Sequence, residues 1–245
     1  ILYETNAQEL VDLYGDTFET PLLTNDGIVI PEIGLKEALR SDKYLNKVPT
    51  ILGSNKDEIK LWLGFSKYFI QTNQSPFFKG IGIPRVQIKD EEKYQFYNDI
   101  RSKGWQLRGV QVPLENMFFA GNKDIYAYRY DWDNLRDFFI GDFSKIIGAA
   151  HALEIPMISG DFSLAEEFEW IIYPRSPSRR FVSKNMMNFW TEFAKNGVPG
   201  KSSNGIFWSK YNPEIDKNII HIDEKRNLRI DSLDLSMQKL VNEIL

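Results

Sequence analysis

The chain has no cysteine among its 245 residues and only two histidines. Without thiols it forms no disulfide, binds no zinc through thiolates and has no Cys nucleophile, so cysteine usage leaves the redox compartment open. Long apolar runs are missing too: none approaches the ~20 residues needed to span a bilayer. An excess of positive charge is also lacking, with 30 Lys and Arg against 34 Asp and Glu, a formal charge of −4 and a pI near 5.4. Nothing therefore draws the chain to phosphate backbones or anionic membranes, and neither nucleic acid nor a lipid surface is an expected partner. There is no internal repeat and no low-complexity linker. The first residues, Ile1-Leu2-Tyr3-Glu4, carry neither an initiator Met nor a signal-peptide pattern, and read as an interior point of a longer chain. One sequon, Asn73-Gln74-Ser75, is followed by Pro76 and is too common a pattern to argue for secretion.

What is present is the composition of a globular protein: 42% hydrophobic, 26% charged and 14% aromatic, enough to bury a large core. Asn6 suits the N-cap of a short helix through Tyr14. Gly34 to Arg40 has helical character. Val48 to Gly53 is an apolar run bounded by turn residues, with Pro49 near its start, and suits a buried parallel strand. The spacing predicts a helix over 57–70, an irregular Pro- and Gly-rich stretch over 71–89, and a helix over 90–102. Ile125 to Tyr130 places a tyrosine at every second position, the period of a strand. Residues 131–150 read as a loop leading to His151. A helix opens at Ser183, with Met186, Met187, Trp190, Phe193 and Ala194 on one face, and stops at Gly197. Asn218 to Ile222 reads as a strand, and Asp231 or Asp234 as the cap of a terminal helix to Leu245. Strands alternating with helices indicate an α/β fold, a mostly parallel central sheet with flanking helices.

The chemistry rests on few residues. His221 sits in the apolar run Ile219-Ile220-His221-Ile222 and suits a structural role. His151 follows Gly148-Ala149-Ala150, small residues that permit close approach by another group. Glu58 follows the first parallel strand after a tight polar turn, at the carboxyl end where open α/β sheets place ligand sites. An acid after one strand and a histidine after a later one is the acid-then-His order of hydrolase triads. In such a triad the imidazole takes the proton of a hydroxyl nucleophile while the carboxylate holds the ring's tautomer. On order alone Asp57, Asp131, Asp133 and Asp142 compete with Glu58 as the acid.

Five segments in sequence resemble the type B carboxylesterases, the family of cholinesterases and bacterial para-nitrobenzyl esterases. Gly53-Ser54-Asn55-Lys56-Asp57-Glu58 is similar to the family's G-x-N-x-D-E, and Gly148 to Pro156 to its G-x-x-H-x-x-E-I/L-P. Pro21 to Pro31, Met187 to Pro199 and Trp208-Ser209-Lys210-Tyr211 are similar to further landmarks of the family. The resemblance implies Glu58 as triad acid, His151 as triad base and Glu154 as a supporting carboxylate, on the C-terminal portion of an α/β-hydrolase fold. It places Leu61, Trp62, Phe65 and, near an acyl-pocket region, Phe18 as substrate-pocket residues. It implies no metal and no organic cofactor. Two positions depart from the pattern: Ile59, where Gly usually follows the acid, and Ala152, where Gly or a similar small residue follows the His.

The family's G-x-S-x-G elbow and Gly-rich oxyanion segment do not occur here. Gly64-Phe65-Ser66-Lys67-Tyr68 lacks the second Gly and follows the acid, so Ser66 is not assigned as nucleophile. Gly197 to Ser202 has the wrong glycine spacing for a phosphate loop. The expectation is that residues 1–245 form the C-terminal part of one hydrolase domain acting on a small uncharged ester. The N-terminal part of the same protein would supply the nucleophile and oxyanion hole. The alternative is an esterase-like adhesion or interaction domain without activity.

Overall fold

In a computed structural model, residues 6–14, 24–74 and 84–232 are described. Phe18 and the expected helix to Leu245 lie outside these residues. Helix α1 (Ala7–Tyr14) and the short α2 (Leu35–Ala38) precede strand β1 (Thr50–Asn55). A single turn of helix, α3 (Lys60–Leu63), follows, then β2 (Ile70–Gln74), β3 (Pro84–Ile88) and α4 (Glu91–Gln106). A π-helical segment, Leu107–Gln111, joins α4 to α5 (Val112–Phe119), which leads into β4 (Ile125–Tyr130). Next come β5 (Asp137–Phe138), β6 (Gly141–Asp142), α6 (Phe143–Ile146), α7 (Ile155–Ser159) and α8 (Glu169–Ile172). The long α9 (Pro177–Asn196) precedes β7 (Ile219–Ile222) and β8 (Arg229–Asp231).

The main sheet has the order β1-β4-β7-β8. Strands β1 and β4 are parallel, from Thr50 opposite Ile125 to Asn55 opposite Tyr130. Strand β7 continues the parallel run and β8 closes it antiparallel, so the sheet is mostly parallel, as expected. Among the described residues β1 is an edge strand.

The alternation in β4 decides what covers each face. Tyr126 and Tyr130 point into a core shared with Val182, Met186 and Phe189 of α9 and with Trp208. Ile125 and Ala127 point the other way, onto Leu114, Met117 and Phe118 of α5. Helices on both faces explain why these strands are largely apolar. Tyr128 lies flat against β1, where Gly53 has no Cβ; one built there would come within 2.1 Å of the tyrosine ring.

Several expected boundaries move. Helix α9 begins six residues before Ser183, at Pro177, because the Ser176 side chain accepts from the Arg179 N–H and Pro177 fits the first turn. Such a cap is worth about 1 kcal/mol. Its buried face is Val182, Met186 and Phe189, while Met187 and Ala194 are exposed. The helix expected over 57–70 is only α3, and the stretch expected to be irregular over 71–89 contains the antiparallel pair β2-β3. The loop expected over 131–150 contains the β5-β6 pair and α6, and Asp231 belongs to β8. Among the described residues no helix is long and apolar enough to cross a membrane.

Candidate active site

The turn after β1 and the loop before α7 are tied together by backbone. The Lys56 N–H donates to the Tyr130 carbonyl and the Asp57 N–H to that of Ala149, at 2.9 and 3.0 Å, and the His151 N–H donates to the Glu58 carbonyl at 3.3 Å. These bonds bring Glu58 and His151, 93 residues apart, side by side at the carboxyl end of the parallel strands. The Glu58 Oε2 lies 2.7 Å from His151 Nδ1, and its Oε1 accepts the Asn55 N–H at 2.8 Å. Both carboxylate oxygens are thus engaged, and the Glu58 side chain is 5% exposed against 39% for His151. Burial raises the Glu58 pKa above its ordinary value, against the opposing pull of the Asn55 N–H and the His151 ring. No hydrogen bond among the described residues engages the other ring nitrogen of His151, which leaves it free for a reacting group.

Asn55 also ties in Glu154. Its Nδ2 donates to the Ala150 carbonyl at 2.7 Å and to Glu154 Oε2 at 2.5 Å. Glu154 therefore touches the residue that holds Glu58, and it fixes the loop carrying His151 to the end of β1.

The four competing acids are occupied elsewhere. Asp57, 1% exposed, accepts from Asn98 Nδ2 at 2.8 Å and from the Ala149 N–H at 3.2 Å, and pairs with the buried Lys60 at 3.1 Å. Asp131 forms a bidentate pair with Arg129 at 2.6 and 2.7 Å and lies 3.2 Å from His221 Nδ1. Burial pushes the Asp131 carboxyl up, but the hydrogen bonds from Arg129 and His221 outweigh it and hold it at about 2. Asp133 pairs with Lys56, and Asp142 caps α6. His221 is buried on β7 beside Asp131, in the structural role its surroundings in sequence suggested. Gly197 ends α9 in the left-handed region, which accounts for that glycine without a phosphate.

Two backbone conformations explain small residues in the His151 loop. Gly148 has φ +55, and a Cβ there would lie 2.4 Å from Asp57 Oδ2. Gly148→Ala is expected to cost about 2 kcal/mol or more, from the left-handed backbone penalty and displacement of a buried paired carboxylate; thermal or urea unfolding measures it, and an unchanged midpoint would contradict the packing described. Ala152 adopts φ 67, which accounts for the glycine of the family pattern at this position. Ile59, the other departure, has an ordinary right-handed conformation and packs with Leu63, Phe69 and Tyr94.

Beside His151 stand two indoles. The rings of Trp62 and Trp105 each lie 5.2 Å from the imidazole, centroid to centroid. Both line a cavity of about 800 Å³ between α3 with its following turn and α4, together with Leu63, Ser66, Tyr97 and Arg101. Of the expected pocket residues that are described, only Trp62 lines this space. Leu61 is half-buried outside it, and Phe65 is 81% exposed, because the single turn of α3 presents positions 59, 62, 63 and 66 to the cavity instead. The sequence reading missed Trp105 by ending its helix at Ser102. The stripe Lys93, Tyr97, Arg101 and Trp105, spaced by four, was the signal available.

A mostly parallel sheet covered on both faces, with a buried acid in contact with a histidine at its carboxyl end, defines an α/β hydrolase. Solved structures share that fold: the carboxylesterase EST55 of Geobacillus stearothermophilus at pH 6.2 superposes with a TM-score of 0.63 at 17% identity, over 98% of this chain and 50% of that one. A PNB esterase gives 0.62 at 17% identity, over 98% and 49%. The carboxylesterase family model matches residues 86–240, and the chain belongs to that family. It is 29% identical to Carboxylesterase 1F of Mus musculus over 252 aligned positions, 91% of this chain and 41% of that protein. It is 24% identical to the medium-chain fatty acyl-CoA hydrolase precursor of Anas platyrhynchos over 229 positions, 81% and 37%. The chain spans less than half the length of these curated relatives and about half that of the solved structures.

Proposed function

We propose that residues 1–245 are the C-terminal part of a single hydrolase domain in a serine carboxylesterase, and that Glu58 and His151 are the acid and base of its Ser-His-Glu triad. The observation that carries this reading is the 2.7 Å contact between Glu58 Oε2 and His151 Nδ1 at the carboxyl end of adjacent parallel strands. Family membership supports ester hydrolysis, and a retained acid–base pair favours an enzyme over an interaction module. The nucleophilic serine and the oxyanion donors belong to a part of the protein outside this chain, in keeping with its span of about half the solved relatives.

The serine attacks the ester carbonyl while His151 accepts its proton on Nε2. Glu58 keeps the remaining ring proton on Nδ1 and stabilises the imidazolium. As the tetrahedral intermediate collapses, His151 returns the proton to the departing alcohol. It then activates the water that releases the acyl group. Each backbone donor to the oxyanion contributes about 3–4 kcal/mol in other hydrolases. The apolar rings beside His151 suit the body of a small ester.

Treating the complete polypeptide with a fluorophosphonate, which reacts with activated serines, tests the division of labour. The expected result is one modified serine, outside residues 1–245, with ester hydrolysis lost in proportion to labelling. Modification of Ser66, whose Oγ accepts the Tyr68 N–H, would overturn the assignment.

A further inference from the structure

The cavity beside His151 is aromatic, yet its charge is one-sided. Among the described residues Arg101 and Lys93 line it and no carboxylate does. Lys93 is drawn toward Asp90, 3.3 Å away. Arg101 has no ion pair among the described residues, so its charge is the one the cavity presents uncompensated. The geometry of α4 orders the wall: Tyr94, Asn98 and Ser102 turn inward and are buried, while Lys93, Tyr97, Arg101 and Trp105 face the space. Arg101 stands one turn, about 6 Å along the helix axis, from Trp105, whose ring touches the imidazole. The path from the reacting atoms therefore runs over indole and reaches a guanidinium.

We propose that this cavity receives an ester whose apolar body ends in a carboxylate, and that Arg101 selects it. The proposal rests on the esterase reading above and adds a charged end to the uncharged ester that the sequence suggested. A guanidinium offers a planar pair of donors to a carboxylate and stays charged at every working pH. Arg101 and its aromatic neighbours Tyr97 and Trp105 are exposed, so the selection comes from the fork's geometry and charge. Arg101 stands away from the bond being broken, so it acts on which substrate binds and its effect falls on KM more than on kcat.

Two matched pairs of substrates test this in the complete protein. The para-nitrophenyl monoester of suberic acid is compared with para-nitrophenyl octanoate, placing the charge on the acyl side. The butyrate ester of 8-hydroxyoctanoic acid is compared with octyl butyrate, placing it on the alcohol side. In at least one pair the carboxylate-bearing ester should have the higher kcat/KM. Arg101→Glu should lower that preference tenfold or more, mainly through KM, and Arg101→Lys should retain part of it. If the neutral esters are hydrolysed but neither ratio moves by more than twofold in Arg101→Glu, the proposal is wrong and the esterase reading stands. If none of the four esters is hydrolysed by the wild type, the esterase reading fails and this proposal with it.

Discussion

Replacing His151 by alanine in the complete protein should lower kcat for para-nitrophenyl butyrate by about 10⁴-fold or more, leaving KM within a few-fold. The imidazole is the one described group that joins a buried carboxylate on one nitrogen to an open position on the other. In the mechanism proposed above, removing it takes away both the proton acceptor for the nucleophile and the donor for the leaving alcohol, and neither is needed to bind the ester. The folded state should survive the change, since the side chain is more than a third exposed and its loss empties no deep core site. Initial rates together with a thermal melt separate the two effects. Activity within tenfold of wild type, in a folded variant, would remove His151 from the mechanism. His221→Ala is the contrast: it should leave hydrolysis within a few-fold of wild type.

Glu58→Gln should cost about 10³–10⁴-fold in kcat, even though glutamine keeps the size and shape of the side chain. Both carboxylate oxygens accept, one from the Asn55 N–H and one from His151 Nδ1. A glutamine has one oxygen and one NH₂ to meet these two donors. With its NH₂ toward Asn55 two donors collide, and with its NH₂ toward the ring the proton is forced onto Nε2, where it faces the nucleophile. Either arrangement spoils the base. Glu58→Asp keeps both acceptors on a shorter arm and should retain more activity than Gln. A ranking with Gln at or above Asp would show that the carboxylate does not hold the tautomer. Burial holds the Glu58 carboxyl above its usual range, so in the wild type rates should fall on acidification as that carboxylate takes up a proton and no longer supports the ring.

Much of this site was legible in the chain because it is encoded locally. The apolar run before Gly53 and the alternating tyrosines of 125–130 mark two parallel strands by period alone. The small residues before His151 mark a loop under close approach, and Gly148 against Asp57 shows the reason. Order and spacing left the choice among acids open and only the family resemblance pointed to Glu58, since what occupies its rivals lies far away in sequence: Asn98 for Asp57 and Lys56 for Asp133. Helix α3 was overestimated because apolar residues at 61–63 and 69–70 satisfy a helical period whether the chain continues or turns, as it does at Gly64, into a strand. Trp105 was overlooked because α4 continues a turn past Ser102, an extension whose one sign in the sequence was the four-residue stripe Lys93, Tyr97, Arg101 and Trp105.

Among the described residues β1 ends the sheet with an unpaired edge. A strand added along that edge can keep its facing only by moving two residues at a time, about 6.6 Å. Whatever that strand carries is therefore offered to Glu58 and His151 in discrete steps rather than on a sliding scale. An error of alignment could not degrade such a pairing by degrees: the ladder along Thr50 to Asn55 behaves as a ratchet, and a strand paired there would seat in one notch or the next.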